Sequence, residues 1–182
     1  MADSKDVLQG LIWVYTLYSL AILSVIAWFA LKITTRGEGK LLKPVYFYTW
    51  VSILTVLGVT LHLFTYQTIP WTSMDLHRKS IQADTVFNIT VADHAFRLPA
   101  EKLVVKVNQK VLFNVTSGDL TYGFGLFRQD HTMVFQMQVL PGHLNDILWE
   151  FGEPGIYDIR STEYSGPKGA LMEVKNAVEV VN

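Results

Sequence analysis

Apolar and polar positions divide this chain into two regimes. Residues 7–31, VLQGLIWVYTLYSLAILSVIAWFAL, carry no charge and lie between Asp6 and Lys32. Such a run, wound as a helix, rises roughly 37 Å and crosses a hydrocarbon core of about 30 Å with some tilt. A cleaved signal peptide would have a shorter apolar core, a basic stretch before it and small residues after it. Here MADSKD precedes the run, so the pattern predicts a retained transmembrane helix over about 7–32. A second uncharged run follows Pro44, a residue suited to a helix's first turn, and predicts a helix over about 45–67. The two form an N-terminal helical hairpin within residues 1–71.

The polar segment between them, TTRGEGKLLK, gathers Arg36, Lys40 and Lys43 beside Lys32, against a lone Glu38. A short loop rich in Lys and Arg belongs on the cytoplasmic side. Tyr46, Tyr48 and Trp50 at the start of the second run, and Tyr66 and Trp71 at its end, fit aromatic belts at the two interfaces. The expected topology puts the N-terminus outside, the loop 33–43 in the cytoplasm and everything after Trp71 outside.

Beyond residue 71 the period changes. Residues 72–84, including DLHRKS, read as a linker. Residues 85–182 then alternate short apolar runs with turn signals. TVFNITV, LVVKV, VLFNV, YGFGLF, MVFQMQVL, DILWEF, GIYDI and LMEVKNAVEVV are expected as strands. Asn108, Ser117-Gly118, Pro141-Gly142, Pro154-Gly155 and Ser165-Gly166 punctuate them. Strands at this spacing predict an all-β sandwich or barrel.

Composition narrows the chemistry. The chain has 182 residues, a formal net charge of −1, 17% charged and 50% hydrophobic residues, and no cysteine. Disulfides, thiolate metal sites and cysteine nucleophiles are thereby excluded together. From position 72 onward, 10 Lys and Arg face 13 Asp and Glu, which argues against nucleic acid as a partner. No nucleophile elbow, phosphate-binding loop, dinucleotide turn or paired-carboxylate motif occurs. No residue is assigned a catalytic role. Two N-x-T sequons, at Asn88 and Asn114, matter only in a setting that glycosylates them.

The segment Ile159–Met172, IRSTEYSGPKGALM, has a distinctive frame: Ser161, Ser165, Gly169 and Met172 are spaced four, four and three apart. With Cys at the serines and His at the glycine it would read C-x3-C-x3-H-x2-M. That is the binuclear copper (CuA) loop of subunit II of the heme–copper oxidases. The rest of the chain resembles the same family. ITVADHAFRLPAEKLVVKVNQKVLFNVTSGDL is similar to its opening strands, and VLPGHLNDILWEFGEPGIYDI to the stretch before the copper loop. The family places a first histidine ligand in D-x-x-H-x-F; here Asp119 to Phe124 read DLTYGF, with Tyr122 at the ligand position. The resemblance implies two transmembrane helices followed by an outer cupredoxin-like sandwich.

In the family, two thiolates, two imidazoles, a thioether and one backbone carbonyl hold the copper pair. Tyr122, Ser161, Ser165 and Gly169 cannot supply the first four; Met172 and the carbonyl of Glu163 remain. The resemblance therefore implies a vacated CuA site and no metal in this chain. The hydroxyls of Tyr122, Ser161 and Ser165 are expected to hydrogen-bond one another, or a water, where the metal sat. Family members without CuA take electrons from membrane quinol. The implied partners are a large multi-helix catalytic subunit carrying heme and copper, membrane lipid, and quinol as substrate of the complex. The gas reduced is oxygen or nitric oxide.

Two other readings stay open. One is a membrane-anchored cupredoxin-like binding or assembly module; the other is an oxidase subunit that docks a cytochrome donor without CuA. His62 lies near the outer end of the second helix; with Tyr66 and Trp71 it is a candidate contact for quinol or a neighbouring subunit. The plainer reading is a histidine snorkelling to the interface or capping a helix contact. His94, in ADHAF, reads as a surface or interface residue. His131, Met133 and Met137 would share one strand face, as a metal contact or as core filler. Glu163 reads as a turn residue or a partner for an arginine of the large subunit. His77, Arg78 and Lys79 form a small basic spot beside the membrane.

Overall fold

The computed structural model describes residues 4–37 and 43–182. The chain separates into two units, Asp6–Ile69 and one built on Pro70–Asn182. In the first, α1 spans Ser4–Thr34 and α2 spans Pro44–Thr68. Both are long and apolar enough to cross a membrane, and α2 contains no buried residue. Pro44 opens α2, as its fixed φ favours, and the Ile69 N–H closes it on the Thr65 carbonyl. Glu38 and Lys40 of the basic loop lie outside the described residues.

Polar side chains in these helices turn back on their own backbone. Thr16 donates to the Ile12 carbonyl at 2.7 Å, Ser24 to Leu20 at 2.8 Å and Thr55 to Val51 at 2.9 Å. Each such bond keeps its own hydroxyl donor from facing an apolar surround, which suits a helix in hydrocarbon.

The second unit departs at once from the expected linker over 72–84. Residues Pro70–His77 form a short helix, α3, and Arg78–Ser80 a 3-10 turn. The reason is packing that no local pattern reveals. Trp71 stacks on Trp149 with ring centroids 5.8 Å apart, and Arg78 reaches Asp146 at 3.3 Å. Nine strands follow: β1 Thr85–Ala92, β2 Ala95–Arg97, β3 Leu103–Lys106, β4 Lys110–Ser117, β5 Tyr122–Arg128, β6 Met133–Val139, β7 Asn145–Glu150, β8 Gly155–Arg160 and β9 Glu173–Val181. They build a sheet ordered β2-β1-β4-β7 and a sheet ordered β3-β9-β8-β5-β6. The expected helices and all-β sandwich are thus present; β2, only three residues long, is the strand the pattern does not announce.

Alternation fixes which side chains face inward. Along β4, Val111, Phe113 and Val115 are buried while their neighbours are partly exposed. Phe113 lies at the centre, with Phe124 at 5.8 Å and Phe135 at 5.6 Å; Trp149 continues the cluster from Phe135 at 5.3 Å. Offset rings at these separations add to their area burial.

Among the described residues one charged group is buried, in the five-stranded sheet. Asp158, 4% exposed, sits where β9 bulges, since Ile159 faces Val174 but Tyr157 faces Val178. One Asp158 oxygen accepts the Asn176 N–H at 2.9 Å and the Gln129 amide at 3.1 Å; the other accepts from Arg160 at 3.0 Å. Asn176 has a left-handed φ of 52°, which the carboxylate fixes. Burial raises the carboxyl's pKa, but the Asn176, Arg160 and Gln129 bonds outweigh it and the net shift is downward. A depressed folded pKa contributes stability that is present above the ordinary carboxylate value near 4 and lost as pH falls through the folded value. Asp158→Ala is expected to cost roughly 2–3 kcal/mol, the scale of buried donors left unpaired. It should also flatten the acid limb of the stability profile. Urea unfolding of the full chain in detergent across pH measures both; an unchanged acid limb would exclude this role for Asp158.

Candidate functional site

The frame residues of the 159–172 segment converge at one end of the sandwich, against the start of β5. The convergence begins with glycine. Residues Tyr122 to Leu126 are all buried. Tyr122, Phe124 and Leu126 enter the core, and Gly123 and Gly125 fall on the opposite face of the strand. The loop after β8 lies on those glycines. A Cβ at Gly123 would stand 2.3 Å from Thr162 Oγ1 and 2.4 Å from the Thr162 backbone nitrogen; one at Gly125 would stand 2.5 Å from Thr162 Cγ2. Only a strand without side chains there admits the loop.

The loop is then fastened at several points. The Ser161 N–H donates to the Met172 carbonyl at 3.0 Å and so closes its base. Ser161 Oγ accepts the Gly123 N–H and donates to the Glu163 carbonyl, each at 3.4 Å. Ser165 Oγ lies 3.9 Å from the sulfur of Met172, which is 5% exposed. A Cβ at Gly169 would come within 2.5 Å of Ser165 Oγ. A larger residue there would require Ser165 to move.

Tyr122 is fully buried and ties this loop to two others. Its hydroxyl donates to Asp119 Oδ2 at 3.0 Å and accepts the His94 N–H at 3.2 Å. Asp93 and His94 form the two-residue β1–β2 turn, both with positive φ, at 54° and 60°. That is the primed geometry whose twist suits a tight hairpin. Asp119 also accepts the Asp93 N–H at 2.9 Å. The His94 ring stands edge-on to Tyr122 at 5.6 Å and 88°, and its Nε2 donates to the Ser165 carbonyl at 2.7 Å. Asp119 has its pKa lowered, chiefly by the Asp93 N–H; burial pushes the Tyr122 phenol up. At neutral pH the pair is therefore a neutral phenol donating to a carboxylate.

The structure thus brings Tyr122, Ser161, Ser165, Gly169 and Met172 into one cluster, with the Glu163 carbonyl beside them and its side chain exposed. It corrects one expectation: the three hydroxyls do not bond one another. Each is satisfied separately, by Asp119, by the Glu163 carbonyl and by the Met172 sulfur, because the loop backbone closes in around them. The donors this cluster offers are hydroxyls, a phenol, an amide carbonyl and one thioether. Without thiolate or imidazole at the frame positions, they do not fit a thiolate-bridged copper pair.

Sequence reasoning missed Thr162 and the two glycines, read His94 only as a surface or interface residue, and gave Asp119 no partner. Alternate glycines in the strand YGFGLF were a readable signal of close backbone approach; His94 had none, since its partner is 71 residues away. His131 is not on a strand face with Met133 and Met137. It occupies the β5–β6 turn with φ 66°, where its Nδ1 accepts from Arg160 at 3.0 Å. Met137 is partly buried against the core and Met133 is exposed. His62 and Tyr66 lie one turn apart on α2, both exposed; His62 Nδ1 donates to the Gly58 carbonyl at 3.0 Å. Trp71 belongs instead to the second unit, half-buried on Trp149. His77 Nδ1 donates to the Ser73 carbonyl at 2.9 Å, and Arg78 also pairs with Asp75.

No protein-family model matches the sequence, and no curated protein does. Among solved structures, a chain of a heme–copper terminal oxidase dimer matches with a TM-score of 0.53 at 18% identity, over 75% of this chain and 99% of that one. The periplasmic domain of cytochrome oxidase subunit II from Bradyrhizobium japonicum matches with a TM-score of 0.43 at 20% identity, over 56% and 86%. Auracyanin B matches with a TM-score of 0.46 at 13% identity, over 56% and 92%. At such identities the likeness to the oxidase chain is one of fold alone; this chain has two long apolar helices followed by a cupredoxin-like β-sandwich.

Gly123→Ala is expected to lift the 161–165 loop from β5. It should cost roughly 1–3 kcal/mol, the range for overpacking a close contact. Gly118→Ala is the control, because its added methyl meets nothing closer than 3.5 Å. Tryptic cleavage at Lys168 should accelerate in the first variant and not in the second. Equal rates would show that the glycine contact does not hold the loop.

Proposed function

We propose that this chain is the membrane-anchored second subunit of a heme–copper respiratory reductase that has lost CuA and is fed by membrane quinol. The observation that supports it most is the collapsed cluster at Tyr122, Ser161, Ser165, Gly169 and Met172. It keeps the frame of a copper loop on a cupredoxin-like fold, with hydroxyls and a glycine in place of sulfur and imidazole. A donor set this hard and this well satisfied internally gives copper no reason to bind. An aqueous electron relay then has no place in the chain. A donor dissolved in the bilayer removes the need for one, and two long apolar helices put the chain where such a donor resides.

On this reading the chain performs no chemistry itself. Its sandwich covers the outer face of the catalytic subunit, which carries the heme and copper and reduces oxygen or nitric oxide. The N-terminus and the sandwich lie outside and the basic loop 33–43 in the cytoplasm. His62, with Tyr66 one turn on, presents a polar edge from the outer half of α2 to quinol or to the partner's helices.

Purification from native membranes tests this. The chain is expected to co-migrate with a large heme protein, to contain no copper pair of its own, and to support turnover with quinol in the absence of any cytochrome. A copper pair on the isolated chain, or turnover with reduced cytochrome c alone, would overturn the proposal.

A further inference from the structure

The sandwich is open along one side. β6 ends the five-stranded sheet and β7 ends the four-stranded sheet, so each has one strand neighbour only. A groove of about 720 Å³ runs between these edges and α3. Five consecutive residues of β6, Val134–Gln138, and five of β7, Asn145–Trp149, line it. Since side chains of alternate residues point to opposite faces, consecutive residues on one groove wall mean that the strand's edge is what faces it.

Edges are usually blunted by charge, proline or a covering segment. The β6 sequence, MVFQMQV, has no charge and no proline. β6 bulges at Val134, where Leu126 pairs with Phe135 but Phe127 with Met133; beyond the bulge, from Phe135 to Val139, its groove-side backbone offers donors and acceptors at the two-residue spacing of a ladder, which a further strand satisfies. The groove beside it carries an aromatic wall, Trp71 on Trp149. It also carries an unbalanced charge group, because Arg78 is shared between Asp75 and Asp146, each at 3.3 Å. One cation between two carboxylates leaves a net negative charge at the mouth.

We infer that this edge docks an extended polypeptide segment of another chain in the assembly. The segment adds to β6 as a strand, seats an apolar side chain on Trp71 and Trp149, and places a lysine or arginine against Asp75 and Asp146. Main-chain bonds give such a complex its affinity, and the flanking groove selects side chains. The inference rests on the proposed function only in assuming that the chain works within an assembly.

The test places the photoreactive residue benzoylphenylalanine at Gln136 or Gln138 of the full chain in its native membranes, with Val104 on β3, the other edge of the sheet, as control. Mass spectrometry of the adducts reads the site. The expected result is one peptide of another chain, containing an apolar residue and a lysine or arginine near the crosslink. It should be absent from the Val104 control, and Asp75→Lys should lower its yield several-fold. Adducts only to a second copy of this chain, only to lipid, or equally from all positions would overturn the inference. Co-purification with a heme protein without the β6 adduct would remove this inference alone. A β6 adduct in a preparation that contains no heme protein would remove the proposed function alone.

Discussion

The sandwich depends on one close approach, the backbone at Thr162 lying on the side-chain-free face of Gly123 and Gly125. A methyl at either glycine would stand within 2.6 Å of Thr162, as the 2.3 and 2.5 Å separations imply. Everything else at that end of the sandwich follows from this contact. It sets the height at which the loop leaves β8, hence the reach of the Ser161 hydroxyl to the Gly123 N–H. It also sets the position of Ser165, whose carbonyl meets His94 and whose hydroxyl meets Met172. Tyr122, next in the strand, then has one direction open to its hydroxyl, toward Asp119 and the β1–β2 turn. Three chain segments distant in sequence are closed on one another by hydrogen bonds, each modest and none dispensable to its partner.

What could be read in advance follows from the range of the forces involved. The two helices were legible because the exclusion of charge from hydrocarbon marks every residue of a 25-residue run. Eight strands were legible because inward and outward positions alternate locally, as at Val111, Phe113 and Val115. The positions Tyr122, Ser161, Ser165, Gly169 and Met172 were singled out by the family resemblance, since no local pattern links Tyr122 to a segment some forty residues on. What escaped depends on contacts between distant residues. Nothing near Trp71 announces Trp149, so α3 read as a linker. Nothing near His94 announces Ser165, and His131 was assigned to a strand that starts two residues later, because a left-handed turn residue looks like any other polar position.

The same distinction bears on how a metal site can be lost without loss of the fold. A metal joins ligands from separate strands through one centre, so removing a ligand would loosen all of them together. In this chain Tyr122, Ser161 and Ser165 each have their own local partner, and the loop is held by backbone bonds and by the glycine contact rather than through a shared centre. On the proposed reading, that dispersal is what leaves the sandwich rigid enough to cover a catalytic subunit after its redox role has gone. Rigidity there also serves the open edge on the β6 side. An uncharged edge strand recruits a partner in register only where its own strand is held regular, and β5 holds β6 so from Tyr122 to Leu126, up to the bulge at Val134. β5 is in turn packed on its other face by Thr162. The 161–172 loop and the uncharged edge are thus joined through a single strand. A change that loosens the loop from Gly123 and Gly125 acts on the pairing surface of β6 as well, although no residue of the loop lines the groove.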